Sequence, residues 1–121
     1  MSPRTVARLI GAGRVAVGLG LIVAPRAVAR PWIGDDADRP GTSVMIRGLG
    51  VRDLVLGLLA IHTVDHEQVA PRLQRVMVAC DSVDLLATLA VRDSLPPGAA
   101  AGTAVVAGGA IAGGLYASAK L

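Results

Sequence analysis

Phenylalanine is absent from this chain of 121 residues, and tryptophan and tyrosine occur once each, as Trp32 and Tyr116. A soluble core takes much of its volume from aromatic rings, so a core of that kind is excluded. Cysteine also occurs once, and a lone Cys80 rules out an intrachain disulfide. Cys80 sits in an apolar run beside Asp81 and reads as a small buried residue rather than a reactive thiol. Lysine is represented only by Lys120, against eleven arginines. The net charge of +3 and the pI near 10.0 come from scattered residues, with no basic run and no interleaved aromatics. That pattern argues against a nucleic-acid partner. A Walker loop, a CxxC pair and a defensible Ser-His-Asp arrangement are all missing, so no catalytic role and no cofactor are expected.

What the chain does contain is Ala, Val, Leu and Gly. Its hydrophobic content is 53% and its mean hydropathy +0.60. Small residues with few aromatics suit close helix packing in lipid. Four apolar segments stand out, at about residues 5–24, 43–64, 69–91 and 98–118. Each is near the roughly 20 residues that cross about 30 Å of hydrocarbon. Pro25 closes the first, Pro71 fits the first turn of the third, and Pro96 and Pro97 precede the fourth. None has a clean one-sided apolar stripe; they are apolar nearly all round, which signals burial or lipid. The expectation is an all-α, four-helix transmembrane bundle forming one domain over residues 1–121. Short polar loops join the helices, and Trp32 in the first loop is placed as an interfacial anchor. Arg4 and Arg8 ahead of an apolar run, followed by Ala27-Val28-Ala29, resemble a signal peptide. Arg14 interrupts that run, so the segment reads as retained.

The ionisable residues inside these segments are the informative ones. Arg14 lies in the first, Arg47, Arg52 and Asp53 in the second, Asp81 and Asp84 in the third. A charge in hydrocarbon is costly, so it faces the protein interior, finds a partner and marks a functional position. The formal charges of these six cancel, which predicts one internal network. Glycines frame it: Gly11 and Gly18 lie three before and four after Arg14, and Gly50 and Gly57 do the same for Asp53. Positions at −3 and +4 share a helix face with the central residue, and small residues there let backbones approach. The spacing predicts a direct Arg14–Asp53 contact between antiparallel helices. Asp81 and Asp84 share a face with Thr88. Two carboxylates so close need a nearby arginine to stay ionised together, and Arg52 is the natural candidate. Arg47 either reaches the network from above or snorkels outward. In the fourth segment, Gly109 and Gly113 form a small-xxx-small pair suited to packing on the bundle or on a second copy.

Two other patterns carry less. Gly11-Ala12-Gly13-Arg14-Val15-Ala16 satisfies a dinucleotide-binding pattern, but its glycines lie inside one apolar run with no βαβ alternation. His62 and His66 have metal-ligand spacing, but no third ligand is in view, and they read as an exposed helix end.

The combination Gly11-x-Gly13-Arg14, Ala24-Pro25-Arg26, Trp32-x-Gly34, Arg47-Gly48-Leu49-Gly50-x-Arg52-Asp53-Leu54-x-Leu56-Gly57 and Asp81-x-x-Asp84 resembles an uncharacterised family of small actinobacterial membrane proteins, distantly similar to the DoxX-like group. The resemblance covers about residues 8–92 and leaves the fourth segment outside. It implies a four-helix integral membrane protein and no particular activity. The sequence therefore predicts a multi-pass protein of the plasma (inner) membrane with cytoplasmic termini. Its expected partners are the lipid bilayer and a membrane protein or a second copy. The leading expectation is a non-enzymatic scaffold or accessory subunit of a membrane assembly, and the alternative is a small proton- or ion-coupled carrier using the carboxylates. A cavity reaching those carboxylates from one side favours the carrier; a dry, fully paired core opposes it.

Overall fold

A computed structural model describes residues 1–121, and it contains helices and turns without a strand. Five α-helices form, not four. They are α1 (Pro3–Val23), α2 (Pro25–Ile33), α3 (Pro40–His62), α4 (Ala70–Ala90) and α5 (Ala99–Lys120). The unexpected one is α2, which replaces the first polar loop together with the 3-10 turn Gly34–Asp38. Its cause is local. Pro25 cannot continue α1 but is preorganised for a first helical turn, so the chain restarts after a break at Ala24. Gly34, at φ +70°, then ends α2 in a conformation that glycine adopts without a Cβ penalty.

Ser2 caps α1, its hydroxyl accepting from the Thr5 amide at 3.1 Å. By length and composition, two helices are apolar enough to cross a membrane, α1 and α5. Helices α3 and α4 fall outside that description, and their sequences show why. Arg47, Arg52 and Asp53 interrupt the one, and Arg72, Arg75, Asp81 and Asp84 the other. The four expected spans are thus reduced to two that composition alone supports.

Packing is organised as two helix pairs. Helix α1 lies most extensively on α3, and α4 on α5, with a smaller α1–α5 contact joining the pairs. Helix α2 folds back over one end, where Leu21, Ala29, Ala37 and Ile46 form a small apolar cluster with Trp32 against it. At the other end Ala7, Val64 and Ala117 come together. Both termini and the α3–α4 loop share that end, tied by Tyr116 Oη donating to the Met1 carbonyl at 3.1 Å and by an Arg4–Asp65 ion pair at 3.0 Å.

The distribution of residue types is inverted relative to a water-soluble bundle. The buried apolar residues number twelve, and all but Leu21, Ile46, Val64 and Met77 are alanines. The rest of the interior is largely glycine with Arg14, Asp53, Gln74, Asp81 and Thr88. Large apolar side chains point outward instead, among them Val105 at 75%, Met45 at 73% and Leu86 at 67% exposure.

Candidate functional site

Three helices each bury a seam spaced alternately four and three residues apart, the spacing that keeps side chains on one helix face. On α1 the seam is Ala7, Gly11, Arg14, Gly18 and Leu21; on α3 it is Ile46, Gly50, Asp53, Gly57 and Ala60. On α4 it runs through Ala70, Gln74, Met77, Asp81 and Thr88, with Asp84 half-buried on the same line. An ionisable residue occupies the middle of each seam, so three charged side chains meet at one level.

The glycines set how closely they meet. A Cβ on Gly18 would lie 2.6 Å from the Gly50 carbonyl oxygen, and one on Gly57 would lie 2.6 Å from that of Gly11. Helices α1 and α3 therefore cross at backbone contact on both sides of the charges. Between these glycine pairs Arg14 Nη1 donates to Asp53 Oδ1 at 3.0 Å.

The same guanidinium reaches a third helix. Its Nη2 donates to Asp81 Oδ2 at 2.5 Å and to the Met77 carbonyl at 3.3 Å. Arg52 takes Asp84 in a two-pronged bond, Nη1 to Oδ1 at 3.2 Å and Nη2 to Oδ2 at 2.5 Å, and also meets Asp53 Oδ1 at 3.3 Å. Planar guanidinium groups are suited to such forked pairing. The aspartates thus divide between two arginines: Arg14 bridges Asp53 and Asp81, while Arg52 serves mainly Asp84. Sequence spacing had assigned both Asp81 and Asp84 to Arg52. Helices α3 and α4 touch only lightly through their backbones, and long charged side chains span the gap.

Arg47 stands apart from the network. It is exposed, and its Nε donates to the Ile22 carbonyl at 3.1 Å. It satisfies a carbonyl at the end of α1, where helix geometry leaves acceptors without an intrahelical partner. Removing Arg47 changes the charge balance. Two guanidinium groups now face three carboxylates, a formal charge of −1 when all are ionised.

The network borders an open groove of about 910 Å³ between α1 and α5, with α2 across one end. Arg14, Asp53, Asp81 and Asp84 line it at the back, Val17 and Val106 line its flanks, and Trp32 lines the α2 end. Trp32 is fixed by its Nε1 donating to Thr88 Oγ1 at 3.1 Å, and that hydroxyl in turn donates to the Asp84 carbonyl at 2.8 Å. Trp32 thus sits on α2 at one end of the groove, not in a loop.

On α5 the two singled-out glycines separate. A Cβ on Gly113 would lie 3.0 Å from Ile10 Cδ1, so Gly113 packs on α1. Gly109 has open space around its Cα and lines the groove. The closer α4–α5 contact belongs to Gly114, where an added Cβ would lie 2.7 Å from Val78 Cγ2.

Gln74 and Gly114 escaped sequence reasoning. A signal for Gln74 existed: it continues the Asp81, Asp84 and Thr88 line toward the start of α4. Its Oε1 is enclosed without a partner, as are Arg14 Nε and Arg52 Nε. His62 and His66 are exposed, Cys80 is half-buried, and no group of three metal-ligating side chains forms. Comparison with family models, curated proteins and solved structures gives no match to this chain.

Proposed function

We propose that this chain is a small, non-enzymatic, multi-pass membrane protein that acts as a carrier coupled to the protons or ions its buried carboxylates can hold. The membrane part of this reading rests on the inverted interior. Helix α5 is apolar enough to cross a bilayer yet only 11% of its most apolar stretch is buried, and α1 only 28%. Core helices of soluble proteins hide such surface; lipid-facing helices display it. The charges that lower the hydropathy of α3 near its middle and of α4 near mid-length turn inward and pair, which is how intramembrane charges are tolerated. Exposed ion pairs cluster at the two ends, Arg4 and Arg8 with Asp65 at one, and Arg30 with Asp35 and Asp38 and Arg39 with Asp36 at the other.

The carrier part rests on one observation: the groove reaches Asp53, Asp81 and Asp84. A network serving only to hold register gains nothing from an opening beside it. Here the opening meets a cluster with one carboxylate more than its arginines neutralise, which a proton or cation balances. The test is reconstitution into liposomes with an entrapped pH dye. The wild type is expected to discharge an imposed pH gradient faster than Asp53→Asn or Asp84→Asn. Equal rates for all three would sink the carrier reading.

A second reading, scaffold or accessory subunit, is favoured by the outer face of α5, where Val105 is 75% exposed. It predicts a companion that co-purifies in mild detergent; a chain that runs alone and monodisperse counts against it. Membrane association itself is tested by fractionation, the chain being expected to resist extraction from membranes by alkaline carbonate.

A further inference from the structure

Two carboxylate oxygens at the back of the groove accept nothing from the protein. Asp53 uses only Oδ1, which receives both Arg14 and Arg52, and Asp81 uses only Oδ2. Their other oxygens, Asp53 Oδ2 and Asp81 Oδ1, are not among the enclosed unpartnered atoms, which are Arg14 Nε, Arg52 Nε and Gln74 Oε1. Each residue is nonetheless 91% buried, since each is 9% exposed. The accessible remainder of both residues borders the groove they line. A carboxylate oxygen is acceptor-only when ionised, and burying it without a donor is costly.

The walls add shape and sign. Leu9, Val17 and Val106 make the groove apolar along its length, and Trp32 lines the end near Asp84. Ligand sites have this character, apolar walls with a few convergent polar groups. The excess of carboxylate over guanidinium at the back of the groove suits a cation. An anion would meet the excess carboxylate, and a neutral chain would leave the two oxygens without donors.

Resting on the carrier reading above, we propose that the groove between α1 and α5 binds a lipophilic ammonium ion, its nitrogen donating to Asp53 Oδ2 and Asp81 Oδ1 and its apolar body lying between α1 and α5 beside Trp32. The substrate class is thus a protonated amine on a compact hydrocarbon frame. Arg14 positions both carboxylates by holding their opposite oxygens.

Trp32 is the sole tryptophan, so intrinsic fluorescence reports occupancy directly. The experiment uses the full chain in phosphatidylcholine vesicles, which add no other tryptophan, titrated with 1-adamantylammonium, 1-adamantanol and 1-adamantanecarboxylate, three probes of one shape and different charge. The ammonium is expected to change Trp32 emission saturably, with the alcohol and the carboxylate at least roughly tenfold weaker. Asp81→Asn is expected to weaken the ammonium by a similar factor. Because that change disturbs the network, Gly102→Leu is the second variant. Gly102 lines the groove and a Cβ there meets nothing within 4 Å, so leucine fills the groove without touching a charge, and is expected to abolish binding. Equal affinity for alcohol and ammonium overturns the proposal and leaves a groove for neutral chains, lipid included. No response to any probe, with Asp53-dependent proton movement intact in liposomes, overturns the ligand class and keeps the carrier. Neither binding nor proton movement overturns both.

Discussion

At the α1–α3 crossing a methyl group added to Gly18 would lie 2.6 Å from the backbone of α3, whereas one added to Gly102 or Gly109 on α5 would meet nothing within 4 Å. Both regions are glycine-rich, and both look like small-residue packing motifs when read along the chain. In the first, glycine removes bulk so that two backbones touch and a guanidinium and a carboxylate meet between them. In the second, glycine leaves a helix face open, and the space becomes the side of a groove. The difference teaches that small-residue spacing marks a possible close approach and not an achieved one. What distinguishes the two regions in sequence is the central residue. Gly11 and Gly18 bracket Arg14, and Gly50 and Gly57 bracket Asp53, so opposite charges draw the same two faces together. Gly102 and Gly109 bracket only Val105 and Val106.

The largest expected effect comes from breaking the charge at the centre of the crossing. Asp53 accepts from Arg14 and Arg52 together, so Asp53→Ala leaves two guanidinium groups short of a partner at once. Arg14 keeps Asp81 and Arg52 keeps Asp84, so no charge is left unpaired, and the loss is that of two charge-assisted hydrogen bonds, about 1.5–3 kcal/mol each. The variant is expected to unfold at distinctly lower denaturant in mixed detergent, followed by loss of helicity. If Asp53→Ala matches the wild type within error, the crossing is held by glycine contact alone.

Next comes Gly57→Ala. The new Cβ would lie 2.6 Å from the Gly11 carbonyl oxygen and 2.9 Å from the Val15 amide. Backbone cannot yield as a side-chain tip can, so α1 and α3 must separate. Overpacking of this kind costs about 1–3 kcal/mol, and the shift also lengthens the Arg14–Asp53 contact. The comparison is sharpened by pairing it with Arg47→Ala. Arg47 is exposed and makes one bond, to the Ile22 carbonyl, so its loss is expected to cost under about 1 kcal/mol. An Arg47→Ala cost equal to that of Gly57→Ala would return Arg47 to the network.

Much of the Arg14–Asp53 crossing was legible because helix periodicity fixes which residues share a face, and antiparallel neighbours of similar length bring their midpoints together. The long helices were legible for the same reason, apart from their ends. Helix α2 was not, because a nine-residue segment with Pro31 inside it has too few turns to show a period; it takes shape from Pro25 and from packing over the α1–α3 end. The division of Asp81 and Asp84 between arginines was also hidden. It depends on the rotation of α4 about its axis, which is set where Gln74 and Val78 pack on Gly114 of α5. The charge excess followed from the same blind spot: Arg47 lies six residues from Asp53, enough to place it on another face, and only its carbonyl partner on α1 removes it from the balance.

The smallest effect is the most diagnostic for α5. Gly109→Ala puts a methyl group into open space on a helix surface, so no contact opposes it. Alanine exceeds glycine in helix propensity by about 0.8–1.0 kcal/mol, and part of that gain comes from narrowing the unfolded ensemble. The variant is therefore expected to be slightly more stable than the wild type, in the opposite direction to Gly57→Ala although the substitution is identical. Gly113→Ala gives the intermediate case, since its Cβ would lie 3.0 Å from the tip of Ile10, a flexible group that can turn aside. The order Gly109 above Gly113 above Gly57 follows from what each methyl group meets. A destabilised Gly109→Ala would break it, and would mean that another surface already covers this face of α5, such as a second copy or a partner in the membrane, because nothing within the chain is close enough to resist the added group.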